Sequence, residues 1–484
     1  MVSPLLFALA LPAARAGSTF EIAPGTDLGP VFDALAPGDT LILDDGVYEV
    51  PSTLGVGAVL SPDDEPITIR ARSRGGAVLE GVPGDDGDGP SAILRVEGAQ
   101  NVVLDGLVLR LGQPVLDLGS TASGLVLADV VGVEAHHLTV GPVGGNGIVV
   151  NGMSSDVRIA HTEVRDAATG SGLVVGCSDA SCWTTGLVLA NLWVHDLPSE
   201  GAQGLVLHHG TQGALVTDTV VYAANGRGVF LGSTERGDAN VFEGNAVWSV
   251  VDEGILVEGA ARLRNNVVFN VDGEGIHLND PGRSDYRDII LSSNTVVDTR
   301  DYALRVQDAT GLDTLTLANN VFCNPLGLGV LVDRADGDTG VAAPGTVRAN
   351  AVCGYSEGVS AVLAEVFAGG GYTDFMDAVA WDFYPANGST LVDAGDPAGD
   401  SWIPEADFNG APREGDAPDV GAYEWDGEGN PGWAIREGFK ELGTDRAADP
   451  ATVGGCCQDD PAAADKALLL LPLFGFGAWR RRRG

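Results

Sequence analysis

Residues 245–279 read NAVWSVVDEGILVEGAARLRNNVVFNVDGEGIHLN, and inside this stretch two phrases each occur twice. Asn245-Ala-Val-Trp returns as Asn266-Val-Val-Phe, and Gly254-Ile-Leu-Val returns as Gly275-Ile-His-Leu. In each phrase apolar side chains alternate with freely varying ones, the period-2 mark of a short strand with one buried face. Working outward, the glycine phrase begins at Gly124, Gly147, Gly172, Gly204, Gly228, Gly254, Gly275, Ala303 and Gly329, at spacings of 21 to 32 residues, about 26 on average. The asparagine phrase returns at Asn294, Asn320 and Asn350, and a third short strand precedes it, as in Ile289-Ile-Leu and Leu315-Thr-Leu. Three short strands per ~26 residues, with no helical period, make one coil of a parallel β-helix. Such a coil cannot bury its apolar face alone and must stack on the next, about 4.8 Å along the axis. The frame predicts that Asn245, Asn266, Asn294, Asn320 and Asn350 form one vertical file.

Composition agrees. The chain has 484 residues with 69 glycines, 44 % hydrophobic residues and only 6 % aromatics. Glycine without a three-residue period excludes collagen, and the interleaved aliphatics exclude a disordered linker. Asp and Glu number 67 against 27 Lys and Arg, a formal charge of −40. Bulk charge therefore excludes nucleic acid as a partner, since that binding rests on neutralising phosphates.

The repeats resemble the right-handed parallel β-helix (pectate-lyase-like) superfamily over roughly residues 20–425. Pro37-Gly-Asp-Thr-Leu-Ile-Leu with Gly46-Val-Tyr resembles that superfamily's opening coil. Asp407-Phe-Asn-Gly-Ala-Pro-Arg413 and Asp419-Val-Gly-Ala-Tyr-Glu424 resemble its closing phrase. The resemblance implies right-handed coils and a carbohydrate partner. The superfamily's known active sites do not carry over. No lysine precedes Lys440, so the Lys/Arg pair of alginate-lyase-like members is missing, as are the polygalacturonase-like set and the Asp-Pro-His-Glu run of the C5-epimerases.

The ends read as addresses. Residues 1–16 carry an apolar run closed by Ala14-Arg15-Ala16, the pattern of a secretory signal. Residues 17–425 form the β-helix with its caps, 426–466 a polar tether, and 467–484 an apolar segment ending in Arg480–Arg483. With Cys456-Cys457 upstream, this tail resembles the MYXO-CTERM family of sorting tails. That resemblance implies envelope sorting and anchoring machinery as a partner and retention at the cell surface.

Four cysteines in a chain that enters an oxidising space imply two disulfides. Cys323 and Cys353 each follow a ladder asparagine by three residues, so they share a slot one rung apart, inside the ~4.4–6.8 Å Cα window of a disulfide. Cys177 and Cys182 close the extra loop of the longest unit.

Function on a solenoid is carried by outward side chains. In the glycine phrase the third residue and the one after the quartet point outward. Read in coil order they stay bland until His208, then turn polar with Glu258, His277, Asn279, Arg305 and Gln307. The turn feeding this strand is acidic, with Asp252, Glu253, Asp272, Glu274 and Asp301. His277 is the candidate base, because imidazole titrates near neutrality. Arg305 would neutralise a uronate or a developing anion. Glu253 and Glu258 would supply a general acid, and Asp252, Asp272 and Glu274 hard oxygens for Ca²⁺. Weak Ca²⁺ loops are also read at Asp85–Asp88 and Asp333–Asp338. A second outward column follows the asparagines by three residues: Arg165, His195, Val221, Trp248, Phe269 and Val297. Trp248 over Phe269 is a candidate sugar-stacking platform beside Asn279 and Gln307. His136-His137 and His208-His209, as neighbours on strands, are expected to face opposite ways and so to be poor metal sites. The expectation is an exported, monomeric surface protein that binds or cleaves extracellular or envelope polysaccharide as a lyase or hydrolase. The alternative is a non-catalytic structural or adhesion rod.

Overall fold

The computed structural model describes residues 17–441, apart from 64, 85–88, 118, 180, 233–236, 280–287, 308–314, 333–345, 358–365, 398–401 and 414–416. The expected signal sequence, the residues beyond 441 and the two expected Ca²⁺ loops at 85–88 and 333–338 lie outside the described residues.

Each coil runs through three short parallel strands, here faces A, B and C in chain order. One coil comprises Ala261–Arg264, Val267–Val271 and Ile276–Asn279. Face A stacks thirteen strands from Thr19–Ile22 to Thr346–Arg348, with Met153–Ser155, Trp183–Thr185 and Thr211–Gln212 alongside. Faces B and C form a single 23-stranded sheet, because Val321–Val332 runs from one to the other without a break. The expected parallel β-helix is the observed architecture.

The alternation seen in the sequence is the in/out alternation of the coil. Leu263, Val268, Val271, Ile276 and Leu278 point inward and are almost wholly buried in one continuous core. The phrase begins with glycine because the next coil passes close by. A β-carbon at Gly254 would lie 2.6 Å from the Gly275 carbonyl oxygen.

The asparagine file is as expected. Asn294 Nδ2 donates to Leu263 O (2.8 Å) and to Asn320 Oδ1 (2.8 Å), while its own Oδ1 accepts from Asn266 N (3.1 Å) and Asn266 Nδ2 (2.9 Å). The same bonds recur from Asn245 to Asn350, all but fully buried. In the middle of the file each amide uses both its donors and its acceptor on neighbouring coils, which is what makes a polar file tolerable inside a core. The residue just before each ladder position turns left-handed. His137 (φ 55°), His161 (47°), Asn191 (51°), Asp218 (51°), Asn265 (52°) and Asn319 (57°) form this second file, at the turn from A to B.

Cys323 and Cys353 are register partners, with Cα atoms 4.5 Å apart and a disulfide between them. Cys177–Cys182 is the second disulfide.

The closing phrase does not lie over the last rung. After Val366–Ala368 and an antiparallel pair, Phe375–Asp377 with Asp382–Pro385, the chain returns along the flank as a strap. It bonds the left-handed file position by position. Asp396 N donates to Asn319 Oδ1 (2.8 Å), Arg413 to Asn265 Oδ1 (2.8 Å), Lys440 Nζ to Asp218 Oδ1 (2.9 Å), and Asn191 Nδ2 to Lys440 O (2.7 Å). Trp433 and Lys440 are buried, so residues 426–441, expected as tether, pack with the β-helix.

Candidate functional site

The strand frame delivers the outward column of face C as the sequence orders it. Val174, Val206, Phe230, Leu256, His277, Arg305 and Leu331 are successive register partners. Gly232 pairs with Glu258, and Asn279 with Gln307, in the file beside it. Val206, Phe230 and Leu256 pack on one another as a small apolar cluster. At His277 and Arg305 the slot becomes polar.

Side chains from five coils interlock there. Arg227 Nε donates to Glu253 Oε2 (2.6 Å), and Glu253 Oε1 lies 3.3 Å from His277 Nδ1. His277 Nε2 lies 3.1 Å from Gln307 Oε1, and Arg305 donates to Glu274 Oε1 (2.7 Å). Asn279 Nδ2 donates to Glu258 Oε1 (2.9 Å), whose other oxygen lies 3.5 Å from His209 Nε2. His277 is only 7 % exposed. Burial works against the charged form of Glu253. Hydrogen bonds from His277 and the backbone, together with the Arg227 charge, outweigh it and hold the carboxyl at about 2. The His209 hydrogen bond holds Glu258 low as well. Glu253, held low, meets Nδ1 and fixes the imidazole, whose Nε2 edge is engaged by the Gln307 side-chain oxygen. Glu253, Glu274 and His277 also present three ligand atoms within 4.8 Å of one another. Both carboxylates already carry a guanidinium, and Ca²⁺ asks for six to eight oxygens.

Other expected members stand apart. Asp252 and Asp272 are exposed in their turns, so of the three acids expected to hold Ca²⁺ only Glu274 joins the group. His208 meets the edge of Phe230, ring centroids 5.9 Å apart, and burial and His209 keep it below the usual imidazole range. Trp248 and Phe269 do stack, at 5.5 Å, but they are 2 % and 1 % exposed. Trp381 and Phe383 lie against them, so the expected platform is a packed ladder beneath the antiparallel pair that precedes the strap. The second column contains Tyr222 where Val221 was expected. Tyr222 pairs with Trp248, and Val221 points into the core.

Two groups escaped the sequence reading. His195 stacks between Trp193 (4.3 Å) and Tyr222 (5.3 Å), with Asp196 Oδ2 2.9 Å from Nδ1 and Glu163 Oε1 3.4 Å from Nε2. Burial disfavours its charge, but the two carboxylates more than offset that and raise its pKa. The signal for it was the shared slot with Arg165. The other group corrects the expectation for His136-His137. Residue 137 is not on the strand but at the left-handed turn, and both imidazoles meet the same Asp105 carboxylate. Strand alternation does not apply across that turn.

The family model described as Periplasmic copper-binding protein (NosD) matches residues 133–339, less than half of the chain. No curated protein matches the sequence. Among solved structures, pectate lyase Pel9A is 14 % identical, covers 85 % of this chain and 97 % of its own, and has a TM-score of 0.45. An alginate lyase from Paenibacillus sp. str. FPU-7 is 16 % identical over 72 % of this chain and 99 % of its own, with a TM-score of 0.38. The A-module of the mannuronan C-5 epimerase AlgE4 from Azotobacter vinelandii is 15 % identical over 66 % and 85 %, with a TM-score of 0.37. At these scores none of them bears on reaction or substrate.

Proposed function

We propose that this protein works outside the cytoplasm and binds extracellular or envelope polysaccharide along face C, where Glu253, Glu258, His277, Asn279, Arg305 and Gln307 succeed one another. Cleavage of lyase or hydrolase type is the activity this face would support. His277 Nε2, once Gln307 turns away from it, would take the proton, Glu253 would hold the ring, and Arg305, released from Glu274, would meet a substrate carboxylate. The observation that carries this reading is the break in the column. Val206, Phe230 and Leu256 satisfy packing in this slot, and packing alone gives no reason for His277 and Arg305 to follow them. Polar side chains on successive rungs at His277 and Arg305, next to the apolar rungs of Phe230 and Leu256, suit a polymer lying along the axis. Two disulfides fit an oxidising compartment, in agreement with the periplasmic description of the matched family. Retention at the cell surface through the C-terminal tail belongs to the same proposal.

A second reading, a non-catalytic surface rod, draws on the pairing within the column, where Glu253, Glu258 and Glu274 each already hold a partner. The test is a polysaccharide panel offered to the full chain with and without EDTA. The first reading expects binding to at least one glycan, lost in His277→Ala or Arg305→Ala with melting unchanged. Loss in EDTA that added CaCl₂ restores would assign Ca²⁺ a part. Absence of both binding and turnover across the panel refutes the first reading and leaves the rod.

A further inference from the structure

Beyond Asn191, where the strap ends its run of hydrogen bonds, the left-handed file continues with His161 and His137. Packing does not call for imidazoles here. The position holds Gly106 one coil earlier, and a side chain in this conformation is strained unless it is small or locally bonded. Because His137 turns left-handed directly after His136 ends its strand, the two consecutive rings converge on Asp105, the register partner of His136 on the coil below.

Three donor atoms meet. His136 Nδ1 lies 3.0 Å from Asp105 Oδ1, His137 Nδ1 lies 3.2 Å from the same oxygen, and the two Nδ1 atoms are 3.1 Å apart. While Asp105 is a carboxylate, no placement of protons on the two imidazoles satisfies all three edges of this triangle. If both Nδ1 atoms carry hydrogen, the two N–H groups oppose each other. If only one does, the other's lone pair faces the carboxylate oxygen. A cation at the centre satisfies all three edges at once, and edges of this length are what ligands about 2.0–2.2 Å from a single ion subtend. We propose that Asp105, His136 and His137 form a binding site for one transition-metal dication of the Cu²⁺, Zn²⁺ or Ni²⁺ class, at the turn from face A to face B.

The donor set selects that class. Two imidazole nitrogens and one carboxylate suit borderline ions, whereas Ca²⁺ and Mg²⁺ require oxygen shells. His161 acts as a positioning residue. Its ring stacks on His137 at 5.2 Å with 7° between planes, and its Nδ1 is tied to Asn191 Oδ1 at 3.2 Å, which fixes the wall against which His137 rests. The site lies away from face C and does not depend on the polysaccharide reading. It also differs from the Glu253–Glu274–His277 group, whose carboxylates are already paired with Arg227 and Arg305.

The test is calorimetric titration of the full-length, untagged, EDTA-stripped chain with CuCl₂, ZnCl₂ and CaCl₂, paired with electron paramagnetic resonance of the Cu²⁺ form. The expected result is one site for Cu²⁺ and for Zn²⁺, two-nitrogen hyperfine structure, and no Ca²⁺ uptake that His136→Ala alters. His136→Ala and His137→Asn should each weaken binding by about 100-fold or more, and His161→Ala by about tenfold. His137→Asn keeps a residue suited to the left-handed turn, and Asp105→Asn repeats the test without touching that turn. His277→Ala should leave the titration unchanged. Failure to bind Cu²⁺ or Zn²⁺, or binding that survives His136→Ala with His137→Asn, overturns the proposal.

Discussion

Replacing Asn294 with alanine tests the stacking on which the whole architecture rests. In the middle of the file, Asn294 makes four hydrogen bonds, to Leu263 O, Asn320 Oδ1, Asn266 N and Asn266 Nδ2. A net intramolecular hydrogen bond contributes about 1 kcal/mol, and a stranded buried partner costs about 1–3 kcal/mol. The substitution leaves the Asn266 backbone N–H facing a void where water cannot follow, so the expected loss is about 4–6 kcal/mol. In a solenoid each coil answers mainly to its neighbours. The loss should therefore appear first as local opening of the coils around 266–320. Hydrogen exchange resolves this: amides of residues 266–271 and 294–299 should lose protection, while those of the first coils, such as 41–43 and 67–71, keep theirs. Denaturant unfolding supplies the total. Asn350→Ala, at the end of the file, should cost less, because among the described residues Asn350 Nδ2 donates to the Leu317 carbonyl alone. A loss under about 1 kcal/mol for Asn294→Ala, or equal losses at the two positions, would refute the claim that the ladder is cooperative and buried.

The remaining expectations are shorter. Glu253 sits at about 2, below its ordinary 4.5, so its contribution is present above pH 4.5 and lost as pH falls toward 2. With partial solvent screening that contribution is about 1–2 kcal/mol, and Glu253→Gln should flatten the acid limb of a stability-versus-pH curve by that amount. An unchanged acid limb would contradict the pairing. Cys323–Cys353 closes a loop with a separation of 30 residues, for which the chain-entropy account gives about 3–4 kcal/mol. Cys353→Ala paired with Cys323→Ala should lower the unfolding midpoint accordingly, and reducing agent should then have no further effect at this site. Equal midpoints with and without the bridge would argue against it.

What the sequence could reveal depended on whether a residue's surroundings repeat. Asn266, Cys323 and His277 each have the same slot of the next coil as their main neighbour, so a 26-residue frame places them correctly. Tyr222 shows how narrow that condition is. Thr219 occupies the ladder position of its coil, its Oγ1 accepting from Leu192 N and its own N–H donating to Asn245 Oδ1. A search for asparagine passes over it, and counting from the wrong residue puts Val221 outside and Tyr222 inside. The strap was illegible for the opposite reason. Its bonds to the left-handed file span 77 residues at Asn319, 222 at Asp218 and 249 at Asn191, with no period linking them. The antiparallel pair that precedes the strap, through Trp381 and Phe383, likewise decided the fate of Trp248 and Phe269, whose exposure the local pattern could not report.

Both sites proposed for this protein lie where a repeat departs from its own rule, and the two departures differ in kind. At His277 and Arg305 the backbone keeps its register and only side-chain chemistry changes, so the sequence column alone exposed the anomaly. At His137 the side chain is unremarkable in the sequence and the anomaly is conformational. An imidazole occupies a left-handed turn that, His161 apart, small or short polar residues (glycine, alanine, serine, asparagine, aspartate) fill on other coils, and this turns a pair of adjacent histidines from opposed to convergent. Period-2 alternation holds only while the chain stays extended, and it inverts its prediction across a single residue with positive φ. The sequence pointed away from His136–His137 because the strand ends between the two.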